Sequence, residues 1–99
     1  MDTARLYSFE NKNEIIFKIT DENRGKLLSI TAHNSKKEAD YTNIVIKHKH
    51  CNIEYVLLDC SYDGVDLIYG VEQVIELYNK DTITIKTNTL NDFIIAIGV

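Results

Sequence analysis

From Glu14 to Thr20 the chain reads EIIFKIT, and apolar side chains return at every second position: Ile15, Phe17 and Ile19. A strand turns successive side chains to opposite sides, so this spacing collects all three on one face of an extended segment. The same period recurs along KLLSITAH (26–33), which sets Leu28, Ile30 and Ala32 against Ser29, Thr31 and His33, and along TITIKTN (82–88), with Ile83 and Ile85 inward and Thr84 and Lys86 outward. RLYSFE (5–10), YTNIVIKHKH (41–50), IEYVLLD (53–59) and DFIIAIGV (92–99) complete a set of about seven strands. DFIIAIGV is apolar on both faces, which predicts a central strand. NKN (11–13), DENRG (21–25) and residues 88–92 supply turn chemistry, and the charged NSKKEAD (34–40) reads as a loop. The short link at Cys51-Asn52 predicts an antiparallel hairpin. A chain with no proline and only four glycines suits this reading.

Between Gly64 and Asn79 the period changes. Ile68, Val71, Ile75 and Tyr78 fall at helical spacing, and Leu67 and Val74 widen the stripe. Asp63 is placed to cap the start, Asp66 suits the first turn, and Lys80 suits the far end. The expected fold class is therefore α+β: a mainly antiparallel sheet of about six or seven strands, with one main helix (about 64–79) packed on one face. The other face is then solvated, curled on itself or covered by a partner. The 99 residues form one domain, 1–99.

No apolar run approaches the roughly 20 residues that span a bilayer, and the N-terminus is polar, so the expected location is cytoplasmic, with no membrane partner. Cys51 and Cys60 are then expected as thiols, because two cysteines do not make a disulfide framework.

His48 and His50 stand two apart and share a strand face with Ile44 and Ile46. Such a pair can chelate zinc if Cys60 or Asp59 supplies a third ligand. The spacing of ligands does not match recognisable zinc sites, however, and a solvated basic strand tip accounts for KHKH more simply. Cys60, His48 and Asp59 are also the candidates for nucleophilic chemistry, but without a signature spacing. No glycine-rich phosphate loop is present. The expectation is a protein that is not an enzyme and has no cofactor.

The charge pattern carries the functional expectation. Between Lys49 and Lys80 there is no Lys or Arg, while Glu54, Asp59, Asp63, Asp66, Glu72 and Glu76 lie in that interval; the remainder holds all eleven bases and nine of the fifteen acids. Tyr62 and Tyr69 are interleaved with these acids. Tyrosine favours interfaces, and complementary charge selects a basic partner. The partner-binding set is Tyr62, Asp63, Asp66, Tyr69, Glu72, Gln73 and Glu76. The expected function is an inhibitor or immunity protein that occludes a basic surface of a nuclease toxin or other nucleic-acid-handling protein. Direct nucleic-acid binding is disfavoured, because phosphate contacts need a basic patch. Two alternatives stand beside this: a self-associating module, a homodimer paired through an exposed sheet face or edge, and a small metal protein or enzyme built on His48, His50 and Cys60.

Overall fold

A computed structural model describes residues 3–34 and 41–99; beyond Asn34, the expected loop at 34–40 lies outside them. The described chain is all β, in seven strands: β1 (Ala4–Lys18), β2 (Gly25–His33), β3 (Thr42–His50), β4 (Ile53–Tyr62), β5 (Asp66–Gly70), β6 (Glu76–Leu77) and β7 (Thr82–Gly98). One antiparallel sheet runs β4-β3-β7-β2-β5, with β1 also on β7 and β6 on β2.

The strand β7 organises everything else. Along it the odd-numbered positions from Ile83 to Ile97 are all buried. β1 follows β7 from Ala4↔Gly98 to Lys18↔Thr82 and so occupies one edge at both ends of the strand, with an irregular step between Lys86 and Asn91. A strand has only two edges. β3 therefore shares the other edge with β2, taking Thr82–Thr87 while β2 takes Asp92–Gly98. Two layers result, β3 with β4 and β2 with β5 and β6, joined through the continuous β1–β7 ribbon.

The ribbon folds the layers onto each other. Tyr7 and Phe17 are ten positions apart on one strand, a span of roughly 33 Å if straight, yet their ring centroids lie 4.9 Å apart. β1 must bend sharply between them. Register shifts between Phe9 and Lys12 and between Lys12 and Glu14 supply the bend, with Asn11 in the left-handed region at φ 54°. The buried face of the curl holds Ile15, Ile30, Ile44, Ile46, Ile83, Ile85, Phe93, Ile95 and Ile97. The sheet is thus a half-barrel that covers its own inner face.

Two expected pairs of strands are single strands: 5–10 with 14–20, and 82–88 with 92–99. Through the polar stretch the ribbon pairs only at Lys12↔Asn91, with a register shift on each side, and both strands run on through this irregular step. A second bulge, between Leu27 and Ser29, puts Leu27 in the core and leaves Leu28, an expected inward residue, exposed.

The expected helix over 64–79 is absent, and with it the α+β class. Residues 66–70 pair with β2 from His33↔Asp66 to Ser29↔Gly70. Leu67, Tyr69 and Val71 pack against the core at a period of two, while Ile68 is 73 % and Val74 75 % exposed. The apolar positions fitted both periods. Val65, Ile68, Val71, Val74 and Ile75 are β-branched and Gly70 sits mid-segment, all poor helix choices. The outer edge of β2 offered ladder bonds that a helix could not make, and the tertiary pairing decided the outcome.

Ile68→Thr is expected to change stability by less than about 0.5 kcal/mol, as at other exposed positions; in a helix of the expected phase it would hollow the core. Gly25→Ala is expected to cost about 1–3 kcal/mol by overpacking, because a Cβ there would meet the Gly98 carbonyl oxygen at 2.1 Å. Urea unfolding of the two variants with unchanged m-values checks both.

Candidate functional site

The hairpin β3–β4 carries the histidines. Its two-residue turn, Cys51-Asn52, has both residues at positive φ (51° and 63°), the mirror-image turn whose twist matches antiparallel strands. Thr42, Ile44, Ile46 and His48 alternate inward, so the shared strand face expected for His48 and His50 is present. The expected solvated tip holds only in part: Lys49, Cys51 and Asn52 are exposed, but His48 is 6 % exposed and buried against the start of β7.

What meets the histidines is Asp81, 33 residues from His48 and 3 % exposed. His48 Nε2–H donates to its Oδ2 at 2.9 Å, and His50 Nδ1–H donates to its Oδ1 at 2.6 Å. The N–H of Tyr78 donates to Oδ2 at 3.0 Å. A carboxylate only accepts, which fixes the donating nitrogen of each ring. The Asp81 backbone is tied down as well: its carbonyl accepts from Ile19 N–H, and Lys80 N–H donates to the Ile19 carbonyl. Burial alone would raise the pKa of Asp81. The Tyr78 N–H and the two imidazoles outweigh it and hold the carboxyl below its ordinary value.

On its far side His50 presents Nε2 to Cys51 Sγ at 3.3 Å. Cys51 is exposed, and both cysteines are free. The turn borders a recess of about 540 Å3 lined by Lys18, Lys49, Asn52, Asn79, Lys80 and Thr82 around His50, Cys51 and Asp81. The third ligand that a zinc site on this face would need, Cys60 or Asp59, is not brought to the histidines. Cys60 lies opposite Ile44 and Asp59 opposite Val45, whereas His48 lies opposite Tyr55, so Cys60 and Asp59 sit well down the ladder from the histidines. Among the described residues, no three His, Cys, Asp or Glu side chains are grouped to hold a metal ion. Asp81 was legible in one respect: it extends the inward parity of Ile83 and Ile85. Its meeting with His48 was not, because no local pattern announces a contact 33 residues away.

The acidic residues are strung along an extended segment, not gathered on a helical face. Antiparallel pairing also brings bases to part of the block: Lys47 Nζ lies 3.3 Å from Glu54, and Lys49 stands opposite Glu54 in register. Asp66 bonds His33 Nδ1, and Glu76 on β6 stands opposite Lys26. Asp59, Asp63, Glu72 and Glu76 form no ion pair among the described residues. Tyr62 and Tyr69 are half-buried; Tyr62 reaches Asn91 Oδ1 at 3.5 Å, and Tyr69 packs on the core. Burial raises the pKa of both phenols, and for Tyr62 a Thr42 hydrogen bond opposes while Asp66 and Cys60 reinforce the rise, so both are neutral donors at neutral pH.

Of the seven expected residues, Tyr69, Glu72 and Gln73 line one recess of about 410 Å3, with Val56 and Leu57 of β4 across from them. Tyr62, Asp63 and Asp66 stand at the β4–β5 connection, and Glu76 faces another surface beside Gly25 and Lys26. This recess is the mouth of the half-barrel. β4 pairs only with β3 and β5 only with β2, so two open strand edges border it among the described residues.

Comparison with protein-family models and with curated proteins finds no match for this chain. No helix among the described residues is long and apolar enough to cross a membrane.

Folding favours the ionised form of Asp81, so the unfolded chain takes up its proton first as the pH falls. The stability contributed by Asp81 is therefore complete above the ordinary aspartate value of about 3.9 and is lost as pH drops through the lower, folded value. Asp81→Asn is expected to cost about 1–3 kcal/mol at neutral pH through lost charge-assisted bonds, and to flatten the acid limb of stability. Urea midpoints taken from about pH 6 down to about pH 2 measure both effects.

Proposed function

We propose that this protein is a small cytoplasmic protein-binding module that occludes a basic segment of another protein, an inhibitor or immunity protein whose target is a nuclease toxin or other nucleic-acid-handling protein. One observation carries the reading. Among the described residues, β4 and β5 each present an open strand edge, and these two edges border a common recess that Tyr69, Glu72 and Gln73 line, on a margin where Asp59, Asp63 and Glu72 have no counter-ion. An open edge displays unpaired N–H and C=O groups and accepts an extended peptide as a further strand; the bordering side chains then select it. Here they select for positive charge and for apolar groups that reach Val56 and Leu57. Two free thiols accord with a reducing cytoplasm.

Self-association is the second reading, favoured by a specific feature. The outer edge of β1 is unpaired among the described residues, and Leu6 and Ile16 on that strand are 65 % and 68 % exposed. Sedimentation of the wild type against Ile16→Lys separates it: a dimer that the variant dissolves supports pairing through β1, and a monomer in both removes it.

For the leading reading, the probe is a capped peptide of alternating Lys and Val, with a Glu and Val peptide as its opposite. Only the basic peptide is expected to shift the amide resonances of Val56, Leu57 and residues 69–73. An Asp59→Lys, Glu72→Lys double variant should weaken it by about tenfold or more, since both charges are reversed. Equal binding of the two peptides, or shifts confined to another surface, overturns the proposal.

A further inference from the structure

The hairpin tip holds groups that the docking surface does not use. Cys51 Sγ, His50 and Asp81 stand in series: sulfur to Nε2 at 3.3 Å, then Nδ1 to a buried carboxylate at 2.6 Å. Asp81 can only accept, so the His50 proton sits on Nδ1 and the Nε2 lone pair faces the thiol. That is the order of parts that activates a nucleophile: a base within reach, oriented by a third group. A merely structural carboxylate would be served by the Tyr78 N–H and His48; the bond to His50 adds the piece that aims a lone pair at sulfur.

The recess beside the thiol has a definite charge. Lys18 from β1, Lys49 from β3 and Lys80 from the β6–β7 turn line it, with Asn52 and Asn79 as neutral donors. Its titratable groups are those lysines, Cys51, His50 and Asp81; His48 and Tyr78 stand behind His50. Among the described residues Asp81 is its one carboxylate, buried and committed to the two imidazoles and the Tyr78 N–H.

We infer that Cys51 is an activated nucleophilic thiol whose co-reactant is a small anionic electrophile seated among Lys18, Lys49 and Lys80. In the step, the Sγ proton passes to His50 Nε2 and the sulfur lone pair forms a bond to the electrophilic atom. The leaving group departs with the electron pair of the broken bond, and Asp81 stabilises the imidazolium. With iodoacetate as the probe, an S–C bond forms, the C–I bond breaks and iodide leaves.

The test is alkylation of the full chain carrying Cys60→Ser, followed by mass spectrometry with iodoacetate and with neutral iodoacetamide. At about pH 6, where an isolated thiol is almost wholly protonated, folded protein is expected to react about tenfold or more faster than the same chain unfolded in urea. Iodoacetate should gain on iodoacetamide relative to the unfolded chain, and that gain should vanish in high salt. His50→Gln, which keeps an amide donor for Asp81, should return the rate to the unfolded value while circular dichroism shows the sheet intact. Equal folded and unfolded rates across the pH range overturn the inference. So does a His50→Gln protein that is folded and reacts as fast as its parent. If that variant does not fold, the folded-to-unfolded ratio and the preference for the anionic reagent decide alone.

Discussion

Both edges of β7 are occupied along nearly its whole length, and the rest of the molecule depends on that. β1 takes one edge; β3 and β2 divide the other. Inward positions from Asp81 to Ile97 keep one parity over the whole strand, so a single line of side chains feeds the core of both layers. Midway the inward residues turn polar, Thr87, Thr89 and Asn91. These satisfy one another: Thr87 Oγ1 donates to the Thr89 carbonyl at 2.7 Å, and Asn91 Nδ2 donates to the Thr89 carbonyl and hydroxyl at 2.9 Å each. Burying polar groups costs least when they are paired. Here they are paired beside the stretch where β1 bends.

The two ends of the curl differ in kind. At the hairpin tip a carboxylate is taken out of water and compensated by three donors, a costly arrangement that only full pairing sustains. At the mouth, acids stay in solvent and strand edges stay open, which costs little in the free protein and leaves groups for a partner. Charge is therefore sorted by strand pairing: β3 lysines answer Glu54, while Glu72, past the end of β5, has no neighbouring base strand among the described residues. The linear gap between Lys49 and Lys80 overstated the acidic block, because an antiparallel neighbour brings its charges back alongside.

Strand existence was legible wherever apolar residues alternated, and the Cys51-Asn52 turn was legible from its length. Residues 64–79 were not, since Leu67, Tyr69 and Val71 satisfy a strand while Ile68, Val71 and Ile75 satisfy a helix. Periodicity alone cannot choose when both are present; the free edge of β2 chose. At the tip, the sequence placed His48 and His50 on one face and offered only Asp59 or Cys60, across the hairpin, as a third group for them. Register set those four rungs or so away and brought Asp81 instead.

The amino-acid order by itself determined the inside and outside of each strand, the hairpin at Cys51-Asn52 and the uneven spread of acids, because these depend only on side-chain direction and local backbone preference. Tertiary structure alone decided that β1 and β7 run unbroken through a bend, that residues 66–70 are a strand, that Asp81 closes on two histidines, and that β4 and β5 remain open toward each other. Each of those outcomes is a choice of hydrogen-bond partner between distant segments, and a partner's availability is a property of the whole sheet.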